Sequence, residues 1–468
     1  MAVLKHSPDI DFPEWYQEVL KKAELADNAP VKGAIFIRPY AYAIWELMQA
    51  EMDRRIKAAG AENAYFPLFI PLSYFEKEKE HVEGFSPELA IVTHAGGSEL
   101  PEPLAVRPTS ETVIGAFMSK WISSHRDLPL LLNQWANVVR WEKRPRAFLR
   151  TTEFLWQEGH TAHVSEGDAA QYARMILDDV YSDFMYRVLA IPTIKGQKPP
   201  SERFAGATNT MTCEGMMGDG KALQLATSHE LGQNFARSFD IQFANAAGAR
   251  EIAWTTSWGS STRMMGGLFM THGDEHGLRL PPSVAPYQVV IVQINDDPEQ
   301  ERLANQLRGS LVELGIRVRV DRDTSRGLGA RVTDWEIKGV PLRVDLGARE
   351  ASEGVLTVLR RDTMQKSKVR LDEFVPAVPA LLARIQEDML ASAITRRDQR
   401  IGEASSVADA VELAQTGFVR MPWAILRDGG EEQLKPAALS VRCLVTQNGE
   451  VPLRDDVDDA IAIVARAY

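Results

Sequence analysis

Cysteine is nearly absent from this 468-residue chain; only Cys213 and Cys443 occur. Two thiols cannot build a disulfide framework or a four-thiolate zinc site. Long apolar runs are missing too, and no stretch reaches the roughly 20 residues of a membrane-spanning helix. The first residues, Met1 to Asp11, lack the apolar core of a signal peptide. Internal repeats and low-complexity tracts are absent. The chain is therefore expected to be cytosolic, with no membrane partner and no zinc. Basic residues do not predominate either: 53 Lys and Arg stand against 64 Asp and Glu, for a net charge of −11. That weighs against nucleic acid, whose phosphates need cations, yet a local basic face can exist on an acidic protein. Finally, there is no glycine-rich phosphate loop. Gly215-Met-Met-Gly-Asp-Gly-Lys221-Ala222 comes close. However, Ala222 stands where a magnesium-binding hydroxyl belongs, and the segment before it does not read as a strong buried strand.

The rest is ordinary globular material, 45% hydrophobic and 25% charged. The length suggests two or three domains. Periodicity predicts an amphipathic helix over 12–28, a strand over 33–39 and a long helix over 40–59 stopped by Gly60. Residues 64–71 read as a strand broken by prolines, suited to an edge or interface. Residues 130–160 alternate like two paired antiparallel strands. A helix is expected over 168–190, then short strands and turns, then a helix at 263–271. After Leu280-Pro-Pro282 the texture changes to βαβ alternation, with strands near 287–294, 317–321, 341–346 and 355–359, a small doubly wound unit. A helix over 372–400 leads into mixed short elements from 401 to 468.

The chemistry sits in polar constellations. Arg140-Trp-Glu142 and Phe148-Leu-Arg150-Thr-Thr-Glu-Phe154 put two arginines and several carboxylates on what reads as a hairpin. Trp258-Gly-Ser-Ser-Thr262-Arg263 lies downstream. Guanidinium forks on strands suit phosphate handling without a backbone cradle. The bland alternative is surface ion pairing with Glu142 and Glu153. Arg107-Pro-Thr109-Ser-Glu111 reads as a helix start, either a plain N-cap or a carboxylate placed for a substrate amine. Gln224-Leu-Ala-Thr227-Ser-His229-Glu-Leu-Gly-Gln-Asn234 gathers more polar groups than a core can satisfy without a ligand. Glu158-Gly-His160, after Trp156, could line a small pocket. His160 and His163 lack an evident third metal ligand. Met264, Met265 and Met270 read as core.

Together these segments resemble the class II aminoacyl-tRNA synthetases, and within them the prolyl-tRNA synthetases of archaeal/eukaryotic type. Arg38-Pro-Tyr-Ala-Tyr-Ala-Ile-Trp45 through Asn63-Ala-Tyr-Phe-Pro67 resembles motif 1. Arg140 to Arg150 resembles motif 2, and Trp258 to Gly267 resembles motif 3. The Arg107, Trp156 and Thr227 segments resemble features of the prolyl branch. The resemblance implies an α+β and α/β multidomain protein. An antiparallel-sheet catalytic domain would span 1–282, an α/β anticodon-binding domain 283–385, and a small α+β C-terminal domain 386–468.

It also implies roles. Thr109, Glu111, Arg140 and His229 would hold proline, with Phe85, Trp156, Glu158, His160 and Phe204 shaping its pocket. Arg140, Glu142, Arg150, Gln224, Thr227, Thr262 and Arg263 would hold ATP, which enters as its Mg2+ complex. Arg140, Arg263 and Glu111 would carry catalysis. Asp334 to Asp345 resembles the anticodon-domain hallmark, with Glu336, Lys338 and Arg343 as base readers. The implied partners are L-proline, ATP, tRNA(Pro) and a second copy of the chain. Three departures stand out. The last region has Cys443 alone where relatives often carry four zinc cysteines. Leu225-Ala226 stands where they often have a glycine. Cys213 replaces a bulkier apolar residue. Only about 120 residues separate Glu142 from Arg263, so the large editing insertion of bacterial-type relatives has no room. The expected activity is proline–tRNA ligation. The alternatives are adenylation of proline for a non-tRNA acceptor, and a non-catalytic regulatory module.

Overall fold

The protein is described from a computed structural model over residues 4–76, 89–453 and 459–468. The helix expected over 12–28 ends at Lys22. Glu24 adopts a left-handed φ of 57°, and Ala26–Asn28 turns back as a strand against Ile35–Ile37. The helix's apolar stripe, Phe12, Trp15, Tyr16, Val19 and Leu20, is buried. Pro39–Ala58 is the long helix anticipated, opened by a proline whose missing N–H costs nothing in a first turn. Of the expected strand 64–71 only Phe69–Pro71 forms, at the edge of a three-stranded sheet with Ser98–Val106 and Ala90–Ala95. Pro67 cannot donate to a ladder, so residues before it stay irregular.

The organising element is an eleven-stranded sheet. Its central strands are Thr193–Gln197, Asn209–Met216, Ala222–Gly232, Trp254–Ser261, Glu153–His163 and Leu130–Val139, each antiparallel to the next. The short strands expected after residue 200 are in fact up to 11 residues long. Buried polar residues, alternating with apolar ones, hide their length from a hydrophobicity pattern. The four strands of 401–466 continue the same sheet, joined where Leu444 pairs with Gln197. The glycine-rich decoy is the hairpin turn between Asn209–Met216 and Ala222–Gly232. A buried strand does precede it, contrary to expectation. The turn leads into another strand rather than the helix a phosphate loop requires.

Residues 289–370 form a second, five-stranded sheet. Three strands are parallel, Val318–Asp321, Val289–Gln293 and Leu342–Leu346. Val355–Arg360 and an unanticipated strand, Gln365–Arg370, add an antiparallel hairpin, so the unit is mixed rather than doubly wound. The helix Leu371–Asp398 accommodates Pro376 and Pro379 near its start. Among the described residues no helix is long and apolar enough to cross a membrane. Met264, Met265, Met270, Cys213 and Cys443 are buried among apolar neighbours. One buried ionic group ties the last strands to the first sheet. Glu214 accepts from Lys198 Nζ (2.9 Å), Thr212 Oγ1 (2.9 Å) and Arg442 Nε (3.2 Å). Burial alone would raise its pKa, but the two cations outweigh that and hold it low.

Candidate active site

One cleft of about 260 Å3 opens on the central sheet. Strand register builds its floor. Thr210 pairs with His229, His229 with Ser257, and Ser257 with His160, giving one row across four strands. The neighbouring row runs Thr212, Thr227, Gly259, Glu158. A bulge at Leu225 decides the next position. Ala226 pairs with Cys213 and Gln224 with Glu214, so Leu225 has no partner across the ladder. The extra residue turns Gln224 onto the cleft face that simple alternation would deny it. Leu225 packs on the other side against Gly215 and Gly267, where a methyl would meet its Cδ atoms at 2.9 and 2.6 Å. That is how a leucine is accommodated at this position. Gly159 has a comparable reason: a methyl there would lie 2.1 Å from the buried Trp258 ring.

The wall above His160 is a network of carboxylates. The Glu158 carboxylate accepts from Ser110 Oγ (2.5 Å), Ser110 N (3.2 Å) and Gln134 Nε2 (2.8 Å), and it contacts His160 Nε2 at 3.0 Å. Ser110 precedes the helix Glu111–Trp121 but makes no capping bond with its side chain; its hydroxyl serves Glu158 instead. Glu111 lies buried in the first turn and accepts from the Thr109 hydroxyl. Arg107 anchors this loop from behind. Fully buried, it donates to the carbonyls of Asn137 (2.8 Å) and Phe66 (2.7 Å). His229 is fixed by Thr210 Oγ1 at 2.9 Å from Nδ1 and by the Phe204 ring, 4.6 Å between centroids.

The arginines occupy the other end. Arg140 and Arg150 sit in the loop joining Leu130–Val139 to Glu153–His163, not on the strands themselves. Arg140 donates Nε to the Pro108 carbonyl (3.0 Å) and lies over the Phe154 and Trp156 rings. Arg263 opens the helix Arg263–His272 and donates Nε to the Leu149 carbonyl (3.0 Å). Burial, with the charges of Arg150 and Arg140 beside it, lowers its pKa to about 10. Among the described residues Arg150 makes no ion pair, and Glu153 accepts from Asn137 instead. With Glu142, these three arginines line a recess that adjoins the main cleft. Such a convergence of cations is costly without an anion to receive.

The structure thus brings together Thr109, Glu111, Arg140, Trp156, Glu158, His160, Phe204, Gln224, Thr227, His229 and Arg263 around one cleft, with Glu142 and Arg150 in its side recess. Thr262 is buried beside Arg263, its backbone N–H donating to the Leu155 carbonyl, and lines neither part. Phe85 lies outside the described residues. Glu202, Thr210, Phe154 and Ser257 also line the cleft, and the sequence reading does not single them out. Only register could reveal Thr210 and Ser257. Glu336, Lys338 and Arg343 lie on the second sheet and its helices. Arg343 is buried, bonded to Glu336 and to Asp345 (2.8 Å). Lys338 reaches Glu24 at 2.7 Å. No group of three or more His, Cys, Asp or Glu among the described residues is arranged to hold a metal.

Three buried histidines make stability depend on pH. Burial lowers the pKa of His229 and His163 to about 4 and of His272 to about 3. In the unfolded chain each titrates near 6.5. The folded state therefore binds fewer protons, and stability is complete above pH 6.5 and lost as pH falls towards 4. His160 works the other way; burial opposes its protonation, but Glu158 and Glu111 raise its pKa overall. At most, each lowered histidine contributes on the order of 3 to 5 kcal/mol. The expected result is a marked drop in thermal midpoint from pH 7 to pH 5, with proton uptake on unfolding. A flat profile over that interval would mean that these rings are not held neutral.

Comparison with known proteins supplies an independent reading. The model of the class II tRNA synthetase core domain (G, H, P, S and T) matches residues 94–271, and that of the anticodon binding domain matches 288–381. The chain is 61% identical to a proline–tRNA ligase of Frankia alni, with all of both chains covered. It is 54% identical to proline–tRNA ligase 2 of Streptomyces avermitilis, covering 98% of each. Among solved structures it is similar to the prolyl-tRNA synthetase from Cryptosporidium parvum complexed with halofuginone and AMPPNP. There the TM-score is 0.92 at 38% identity, over 99% of both chains.

Proposed function

The chain belongs to the proline–tRNA ligase family, and from that membership we propose how its own residues carry out the reaction. The enzyme activates L-proline with ATP to prolyl-adenylate and transfers the prolyl group to the 3′ end of tRNA(Pro). The observation that carries the assignment of roles is one cleft with carboxylates at one end and three arginines at the other. Glu111, steadied by Thr109, receives the secondary ammonium of proline. Trp156, Glu158, His160, Phe204 and His229 enclose the ring, which loses little entropy on binding. Arg140 stands between the two ends and holds the proline carboxylate against the α-phosphate. Arg150 and Arg263, with Glu142, Gln224 and Thr227, hold the nucleotide, which arrives as its Mg2+ complex; Thr262 sets the start of the helix bearing Arg263. The carboxylate is already a nucleophile at neutral pH, so no general base is required. Alignment and stabilisation of the phosphate charge supply the rate.

The proposed division is a catalytic unit over 1–282, an anticodon unit over 283–385 and a C-terminal unit over 386–468. For the anticodon, Arg319, Arg322, Arg326, Trp335 and Lys338 line a separate cleft of about 410 Å3, which Asp321, Asp323 and Asp334 also line. Cations around a half-buried indole suit phosphates and a stacked base. Glu336 and Arg343 hold each other behind it. Without an editing insertion, the enzyme does not clear mischarged alanine in cis; rapid deacylation of Ala-tRNA(Pro) by the pure protein would contradict this. A cytoplasmic location accords with the reaction. The decisive test is charging of a tRNA(Pro) transcript alongside proline-dependent ATP–pyrophosphate exchange. Exchange without charging favours adenylation for another acceptor, and neither activity favours a regulatory module.

A homodimer is the proposed assembly. Tyr65, Phe69, Ile91 and Trp121 are 72%, 49%, 49% and 49% exposed, all around the edge sheet and the helix Glu111–Trp121. The sequence points to the motif 1 helix and Phe66-Pro67; Phe66 is buried, and it is these exposed apolar side chains around it that fit a two-fold interface. Sedimentation should give twice the 52.1 kDa chain mass, and Phe69→Glu should yield monomers. A fully active monomer would overturn the assembly.

A further inference from the structure

The segment Asp334–Asp345 does more than border the anticodon cleft. Its middle is seated on the catalytic unit, backbone to backbone. Leu278 N donates to the Ile337 carbonyl (2.9 Å), and Leu280 N donates to the Gly339 carbonyl (3.2 Å). Gly339 has a left-handed φ of 71°, and a methyl there would lie 2.6 Å from the Leu278 carbonyl carbon. Arg361 locks this seat. It is 1% exposed. Its guanidinium grips both oxygens of Asp274 (2.8 and 2.5 Å) and donates Nε to the Glu336 carbonyl (2.8 Å).

Asp274 lies two residues beyond the helix Arg263–His272, whose first residue is the nucleotide-binding arginine. The carbonyls at that helix's far end are capped by two more arginines. Arg279 Nε donates to His272 O (2.5 Å), and Arg396, from the long helix Leu371–Asp398, donates to Thr271 O. Cations at a helix C-terminus are favoured by its dipole and hold its last turn. A helix of 10 residues is a rigid rod of about 15 Å. Its phosphate end and its anticodon-side end therefore move as one body.

We propose that Arg361 is a positioning residue for aminoacylation, coupling the seat of the anticodon unit, once tRNA occupies it, to the helix that bears Arg263. The inference rests on the tRNA-ligase reading above. A lysine at this position keeps the charge but loses the three-bond fork.

The test uses full-length Arg361→Lys and Asp274→Asn. It measures ATP–pyrophosphate exchange, charging of the tRNA(Pro) transcript and charging of an acceptor-stem minihelix that lacks an anticodon, all normalised to titrated active sites. Expected are exchange and minihelix charging within about two-fold of the parent, with charging of the full transcript reduced about ten-fold through kcat. Equal losses with transcript and minihelix, or loss of exchange through misfolding, would show a merely structural residue and overturn the proposal. So would unchanged charging of all substrates. If the parent itself fails to charge the transcript, it is the ligase reading that fails, not the coupling.

Discussion

Arg140→Lys is expected to lower proline-dependent exchange by at least about 100-fold, equivalent to roughly 3 kcal/mol of transition-state stabilisation. The charge is retained, so the effect isolates geometry. The arginine spends Nε on the Pro108 carbonyl and lies over Phe154 and Trp156. These contacts set the plane of the guanidinium where it lines the cleft. A lysine cannot make the backbone bond and present a two-pronged donor together. Its ammonium is also more strongly hydrated and would bring water to the reacting phosphate. The loss should fall on kcat more than on the KM for proline, because Glu111 and the ring walls remain. Exchange within about five-fold of the parent would remove Arg140 from the reacting centre.

Arg263→Met should separate activity from stability. Exchange is expected to fall about 1,000-fold, since a cation on the nucleotide is lost. The fold should not suffer. Arg263 is held beside Arg150 and Arg140 with its pKa lowered to about 10, a shift that opposes folding by up to roughly 3 kcal/mol. The bond to the Leu149 carbonyl returns only about 1 kcal/mol. Methionine keeps the unbranched volume without the charge, so the thermal midpoint should stay level or rise. The upward shift that ATP gives the parent by binding only the folded state should vanish. A variant that melts much earlier would assign Arg263 to the scaffold rather than the site. Strain of this kind is expected where function competes with stability.

Much of the site is legible in the sequence because it is local. The arginines of 140–150 and 263, the Thr109–Glu111 helix start and the polar run around His229 are short segments whose composition is hard to explain as core. The arginine alternative, surface ion pairing with Glu142 and Glu153, fails for Arg150, which makes no ion pair among the described residues, while the Glu153 carboxylate accepts from Asn137 Nδ2 (2.8 Å). Periodicity overextends the first helix to residue 28 because a left-handed Glu24 carries no strong sequence signal. The glycine-rich turn at 215–221 is no phosphate loop, but one of the two sequence reasons against it does not hold: a buried strand does precede it.

The sequence by itself determined the residue types of the site, the paired strands that carry it and the absence of a glycine phosphate loop, because each depends on neighbours within a few positions. Tertiary structure alone decided the rest. The bulge at Leu225 is set by how two strands register, and it turns Gln224 onto the cleft face. Ser110 spends its hydroxyl on Glu158, 48 positions away, instead of capping its own helix. The strands of 401–466 join the central sheet where Leu444 pairs with Gln197, where Ala467 bridges Ala222 and where Arg442 meets the buried Glu214. The segment Asp334–Asp345 is bonded backbone to backbone to Leu278 and Leu280, far back along the chain. Each of these turns on which distant backbone supplies a partner for a buried polar group, and that is settled only when the chain is packed.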